Sequence, residues 1–162
     1  MNVATLSNAS SVGKRPALSW LTGGLAISPE LEAAQWTTVY RAGIRCVLDL
    51  RAESPGDRES VEAAGLRYLR VPVKQDGAPS LDSLRLLTDW IAGRMREDGP
   101  VLVICRTGRA RSAMVGCASL VKLGVPLLDT FRLLHLAGVE LALSTEQRTG
   151  LAEFALTLRS GV

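Results

Sequence analysis

The most constraining stretch of this chain is an apolar run, Pro100-Val-Leu-Val-Ile104, that passes directly into Cys105-Arg-Thr-Gly-Arg-Ala-Arg111-Ser112. Ala113-Met-Val-Gly-Cys-Ala-Ser-Leu-Val-Lys-Leu123 follows with helical character. A short apolar run with branched residues is a buried strand. The order is therefore strand, tight loop with one glycine, helix. Such a loop gathers backbone N–H groups in front of a helix N-terminus, and both attract an anion. Arg111 adds a planar fork matched to phosphate oxygens. Helix N-termini and neighbouring arginines lower thiol pKa values, so Cys105 reads as a nucleophile facing a bound oxyanion. Its bland alternative is a buried structural thiol. Gly108 allows the backbone to approach the anion.

The rest of the chain supplies an α/β frame. Ala17 to Leu21 reads as a first strand ended by Gly23-Gly24. Ser28-Pro29-Glu30 reads as a helix start, with Ser as N-cap and Pro in the first turn, and that helix is expected to run to Arg41. Cys46 to Leu50 is a buried strand, and a short helix ends at Ala64. Leu66 to Val73 alternates as a strand does. Ser80 caps a helix over Leu81 to Arg96, and Leu127 to Ala137 and Thr145 to Leu158 are the last two helices. This order predicts a mostly parallel central sheet flanked by helices, with the site at the carboxyl ends of the strands.

Bulk properties narrow the function classes. With 162 residues the chain is one domain, expected over 16–162 after a polar tail at 1–15. Net charge is +3, which suits an anionic substrate and does not by itself indicate nucleic acid. No apolar run reaches the length of a membrane span, and the polar N-terminus reads as no signal peptide. Three dispersed cysteines fit a reducing cytoplasm better than a disulfide framework. His135 stands alone in an apolar helical segment, so no metal and no cofactor is expected.

The Cys-x5-Arg-Ser pattern resembles the signature loop of the cysteine-dependent protein tyrosine phosphatase superfamily, and its small dual-specificity branch most of all. The likeness runs from Trp20 to Phe154. Leu21-Thr-Gly-Gly-Leu25, Gly43-Ile-Arg-Cys-Val-Leu-Asp-Leu-Arg51 and Gly65-Leu-Arg-Tyr-Leu-Arg-Val-Pro72 are similar to early strands of that branch. The resemblance implies metal-independent hydrolysis of a phosphomonoester, on a protein or another molecule, through a phosphocysteine on Cys105. It implies that Arg111 binds phosphate and that the Ser112 hydroxyl helps the cysteine leave. Arg106, Thr107, Gly108, Arg109 and Ala110 would present backbone amides to the phosphate, with the side chains forming its rim. Basic residues inside the loop also resemble lipid and inositol-phosphate phosphatases, which implies a polyanionic substrate as one option. The family usually has His before the cysteine; here Ile104 stands there.

A leaving ester oxygen needs a proton, and an aspartate on a loop can deliver it. Asp76, in Lys74-Gln-Asp-Gly-Ala-Pro-Ser80, is the candidate general acid, and Asp82 is the fallback. Asp76-Gly77 also reads as a plain turn. Gln147 matches a water-positioning glutamine of some relatives, or is a helix surface residue. Asp49 and Arg51 read as braces for loops, and Cys46 and Cys117 as core thiols that could pair with Cys105 on oxidation. Two competing functions stay open: a catalytically weak phosphate-binding module, and a rhodanese-like sulfurtransferase, whose usual loop is one residue shorter.

Overall fold

The computed structural model describes residues 14–160. Five strands form one sheet in the order β1-β2-β5-β3-β4. They are β1 (Ser19–Thr22), β2 (Leu25–Ser28), β3 (Cys46–Arg51), β4 (Arg67–Val73) and β5 (Val101–Ile104). Only the β1–β2 pair is antiparallel; β2–β5, β5–β3 and β3–β4 are parallel. The predicted mostly parallel sheet is thus the observed one. The helices are α1 (Trp36–Arg41), α2 (Arg58–Ala63), α3 (Leu81–Glu97), α4 (Arg111–Lys122), α5 (Leu127–Leu136) and α6 (Thr145–Arg159). The tail expected at 1–15 falls almost wholly outside the described residues.

The helices cover both faces of the sheet, and strand alternation decides which residue faces which layer. Along β5, Val101 and Val103 join Leu84, Ile91, Met114 and Phe154 from α3, α4 and α6. Leu102 and Ile104 join Trp36, Val39 and Val61 from α1 and α2. All four β5 side chains are buried, as expected for a strand covered on both faces. Ile104 therefore fills an apolar layer immediately before Cys105.

The helix start expected at Ser28 fails for an identifiable reason. Leu25 to Ser28 is a strand, and Ser28 does not cap a helix. Ser28 lies in register with Ile104 of β5, and its Oγ donates to the Pro29 carbonyl at 2.7 Å. The Glu30 amide donates to the Arg106 carbonyl at 3.2 Å, so the segment supports the cysteine loop instead of starting a helix. The helical region begins later, at a 3-10 turn (Ala33–Gln35) whose capping box joins Glu32 and Gln35. By contrast, Ser80 caps α3 as predicted, its Oγ accepting from the Ser83 amide at 3.1 Å.

Candidate active site

β5 ends at Ile104, α4 begins at Arg111, and the six residues between them form the loop. The Cys105 sulfur is the point on which this loop converges. The Gly108 amide donates to Sγ at 3.2 Å and the Ser112 amide at 3.4 Å, while Ser112 Oγ lies 3.1 Å away. Ser112 is therefore not the N-cap of α4. That position is Ala110, which offers no side-chain acceptor, and the sulfur takes the first-turn amide instead. Cys105 is 1% exposed. Arg106, Thr107 and Arg109 are exposed, so their side chains form a rim.

Gly108 is required twice over. Its φ is +72°, a region costly for residues with a Cβ. A Cβ there would also stand 2.7 Å from the Pro29 nitrogen and 2.8 Å from the Ser28 carbonyl carbon. Those atoms are backbone of the segment after β2, so they have little freedom to retreat.

Arg111 is buried and held by two acceptors. Its Nη1 donates to Glu53 Oε2 at 2.7 Å and to the Val73 carbonyl at 2.8 Å; its Nη2 donates to Glu53 Oε1 at 2.6 Å. The Glu53 carboxylate thus sits on the edge formed by the two terminal nitrogens. Among the described residues nothing accepts from Nε. Nε–H and the second hydrogen of Nη2 form the other edge of the fork, which can bind two oxygens of one phosphate. The Arg111 hydrogen bonds hold the Glu53 carboxyl down to about 2. Glu53, in turn, raises the Arg111 pKa, so the guanidinium stays charged.

Glu53 carried no signal in the sequence beyond its place just after a strand. β3 neighbours β5 in the sheet, so their carboxyl ends open on the same edge. Sequence order alone does not reveal that adjacency.

The expected brace at Asp49 and Arg51 is present behind the site. Arg51 Nη2 pairs with Asp49 at 2.8 Å and Asp57 at 2.7 Å, and Nη1 reaches Glu30 at 3.4 Å. The Tyr68 hydroxyl donates to Asp49 Oδ2 at 2.6 Å and accepts from the Asp57 amide at 3.1 Å. Burial pushes the Asp49 carboxyl up, but hydrogen bonds from Arg51 and Tyr68 outweigh it and hold the group below its usual range. This network ties β3, β4, the start of α2 and the loop after β2 together. Removing one partner would leave a buried charge uncompensated.

Asp76 lies three residues beyond Val73, whose carbonyl touches Arg111. Three extended residues span at most ~11 Å, so Asp76 stays in the neighbourhood of the site. It is the one non-glycine with positive φ among the described residues, at 64°. The Gly77 amide closes the turn onto the Lys74 carbonyl at 2.9 Å. Asp tolerates this conformation better than most residues. Asp82 sits instead in the first turn of α3, exposed and 3.7 Å from Arg85. Gln147 is not a helix surface residue: it is fully buried, and its amide is engaged with Ser144 and Gly77.

The thiols expected in the core are there. Cys46 and Cys117 are both buried and free, and burial pushes each up to about 11. Among the described residues no cluster of His, Cys, Asp or Glu has the arrangement of a metal site. No described helix is long and apolar enough to cross a membrane.

Comparisons with known proteins bear on the family and the fold. A family model described as "Polymorphic toxin system, DSP-PTPase phosphatase" matches residues 26–125. Mouse dual specificity phosphatase 28 is 34% identical over 110 residues, covering 66% of this chain and 64% of the mouse protein. The chain thus spans less than two thirds of that relative's length. Among solved structures, Tk-PTP in its active form superposes with a TM-score of 0.81 at 27% identity, covering 87% of this chain and 97% of Tk-PTP. A mouse dual specificity phosphatase in complex with zinc tungstate gives 0.79 at 26% identity, covering 96% of each chain.

Proposed function

The chain belongs to the DSP-PTPase family of phosphatases matched over residues 26–125, and from that premise we propose that it hydrolyses phosphomonoesters through a phosphocysteine on Cys105. One observation carries the reading. Within a single strand–loop–helix unit, three groups converge on the Cys105 sulfur, and the neighbouring Arg111 keeps one edge of its fork unbonded.

In the first step Arg111 binds two phosphate oxygens through Nε and Nη2. The Cys105 sulfur attacks phosphorus in line, an S–P bond forms and the ester P–O bond breaks. Asp76 gives its proton to the leaving oxygen. In the second step Asp76, now a carboxylate, takes a proton from water. The water oxygen bonds to phosphorus, the S–P bond breaks and inorganic phosphate leaves. Ser112 Oγ lies 3.1 Å from the sulfur, within reach for its hydroxyl to donate to the departing thiolate. Charge on the transferring group is met by Arg111 and by amides of the loop, which serve where other phosphatases use a metal ion.

Asp76 and Asp82 are both exposed, and proximity to Val73, whose carbonyl binds Arg111, favours Asp76 as the acid over Asp82, which sits on α3 beside Arg85. The exposed Arg106 adds positive charge to the rim, which suits phosphate esters carrying further negative charge, whereas Arg109 is paired with Glu140. A reducing compartment such as the cytoplasm belongs to this reading, because the nucleophile must stay a free thiol. The test is rapid acid quench of the enzyme during turnover, followed by peptide mass mapping. A phosphoryl group on Cys105 is expected. Steady turnover with no phosphorylated cysteine would overturn the covalent mechanism.

A further inference from the structure

The segment between α5 and α6 touches both loops of the site. Its Ala142 amide donates to the Arg109 carbonyl at 2.9 Å, and Arg109 Nε donates to the Glu140 carbonyl at 3.1 Å. Arg109 also pairs with the Glu140 carboxylate at 3.2 Å. A few residues on, Ser144 Oγ donates to the Asp76 carbonyl at 2.8 Å, and Gln147 Nε2 donates to the Gly77 carbonyl at 3.0 Å. The cysteine loop and the Asp76 turn are thus fastened to one short stretch of chain.

Ser144 and Gln147 are at the same time the capping box of α6. The Gln147 amide donates to Ser144 Oγ at 3.1 Å, and the Ser144 amide donates to Gln147 Oε1 at 2.9 Å. A capping box needs only the acceptor oxygens of its two side chains. The remaining donors, the Ser144 hydroxyl hydrogen and the Gln147 amide nitrogen, both go to the Asp76 turn. The base is firm, because Leu151 and Phe154 of α6 are buried in the core and Gln147 is fully buried. Both carbonyls follow the Cα of Asp76, the one non-glycine in a left-handed conformation among the described residues, so a donor on each resists the turn's relaxation.

We propose that Ser144 and Gln147 are positioning residues that hold the Asp76 turn in place for proton transfer, using the α5–α6 connector to fix that turn relative to the cysteine loop. This rests on the phosphatase reading and on Asp76 as the acid. Capping and clamping can be separated by substitution. Ser144→Asp keeps a strong N-cap acceptor and loses the hydroxyl donor. Gln147→Glu keeps the capping-box acceptor and loses the amide donor. Ser144→Thr keeps both functions and is the rescue variant.

The readout is the ratio of kcat/KM for an aryl phosphate with a weakly basic leaving phenol to that for an alkyl phosphate. Only the alkyl ester depends strongly on a general acid. Ser144→Asp and Gln147→Glu should each raise this ratio roughly tenfold or more, as Asp76→Asn does, while Ser144→Thr stays near wild type. Equal losses on both esters would mean the clamp is only structural and would overturn the proposal. A raised ratio for Asp76→Asn alone would also overturn it, leaving the acid assignment standing. No raised ratio for Asp76→Asn would remove both. A wild-type protein that turns over neither ester would sink the phosphatase reading and this inference with it.

Discussion

Glu53 and Arg111 meet through both oxygens of one and both terminal nitrogens of the other, at 2.7 and 2.6 Å. With the Val73 carbonyl, this pair fixes the plane of the guanidinium and leaves its Nε edge for phosphate. Loss of charge-assisted bonds of this kind costs about 1.5–3 kcal/mol. Glu53→Ala is therefore expected to lower kcat/KM on an aryl phosphate roughly tenfold to a hundredfold. Unchanged kcat/KM would mean that Arg111 is oriented without Glu53.

The same pair sets a pH dependence. Glu53 titrates near 4.5 when unfolded and is held down to about 2 in the fold. A depressed carboxyl contributes stability that is fully present above its unfolded pKa and lost as pH falls through the folded one. The loss therefore begins near 4.5 and is complete below about 2. Since the Glu53 side chain is 35% exposed, screening keeps the contribution to about 1 kcal/mol. Over this acid window the wild type should lose more Tm than Glu53→Gln. Parallel Tm curves for the two proteins would contradict the assignment.

Gly108→Ala places a methyl group against the backbone of Ser28 and Pro29 in a left-handed conformation. A cost of about 1–3 kcal/mol is expected, seen as a lower Tm. The Gly108 amide that donates to Cys105 Sγ would move as well, so kcat/KM should fall more than stability does. Wild-type Tm together with wild-type kcat/KM would show that the loop tolerates the methyl group.

The cysteines should not protect one another. Cys46 faces Val101 across the sheet, four residues before Cys105 along β5, which is ~13 Å of strand. Disulfides need Cα separations below about 7 Å. The Cys105 sulfur sits at the N-terminal turn of α4, where it takes the Ser112 amide, and Cys117 is five residues further on, or ~7.5 Å along the helix. Mild peroxide treatment is expected to oxidise Cys105 without forming an internal disulfide, as read by peptide mapping. A Cys105–Cys46 or Cys105–Cys117 linkage would require the sheet or α4 to open.

What was legible in the sequence was what is local. The β5–loop–α4 unit could be read from an apolar run, a glycine and a helical repeat within one short stretch. Ser80 was legible as the α3 cap because its partner is Ser83. Glu53 was not, since its partner is 58 residues away and depends on β3 lying beside β5. The Gln147–Gly77 contact spans 70 residues, so a buried clamp read as a surface glutamine. Ser28-Pro29-Glu30 misled for a related reason: a good helix-start pattern was overridden by β2–β5 pairing and by the Glu30 bond to the cysteine loop. Local propensity yields to tertiary contacts of this kind.

The most direct measurement is hydrolysis of an aryl phosphate by the wild type and by Cys105→Ser, with chelator and reductant present. Metal-independent turnover by the wild type, abolished in the folded variant, is the predicted result. Equal turnover by Cys105→Ser, or none from well-folded wild type, would contradict a cysteine phosphatase.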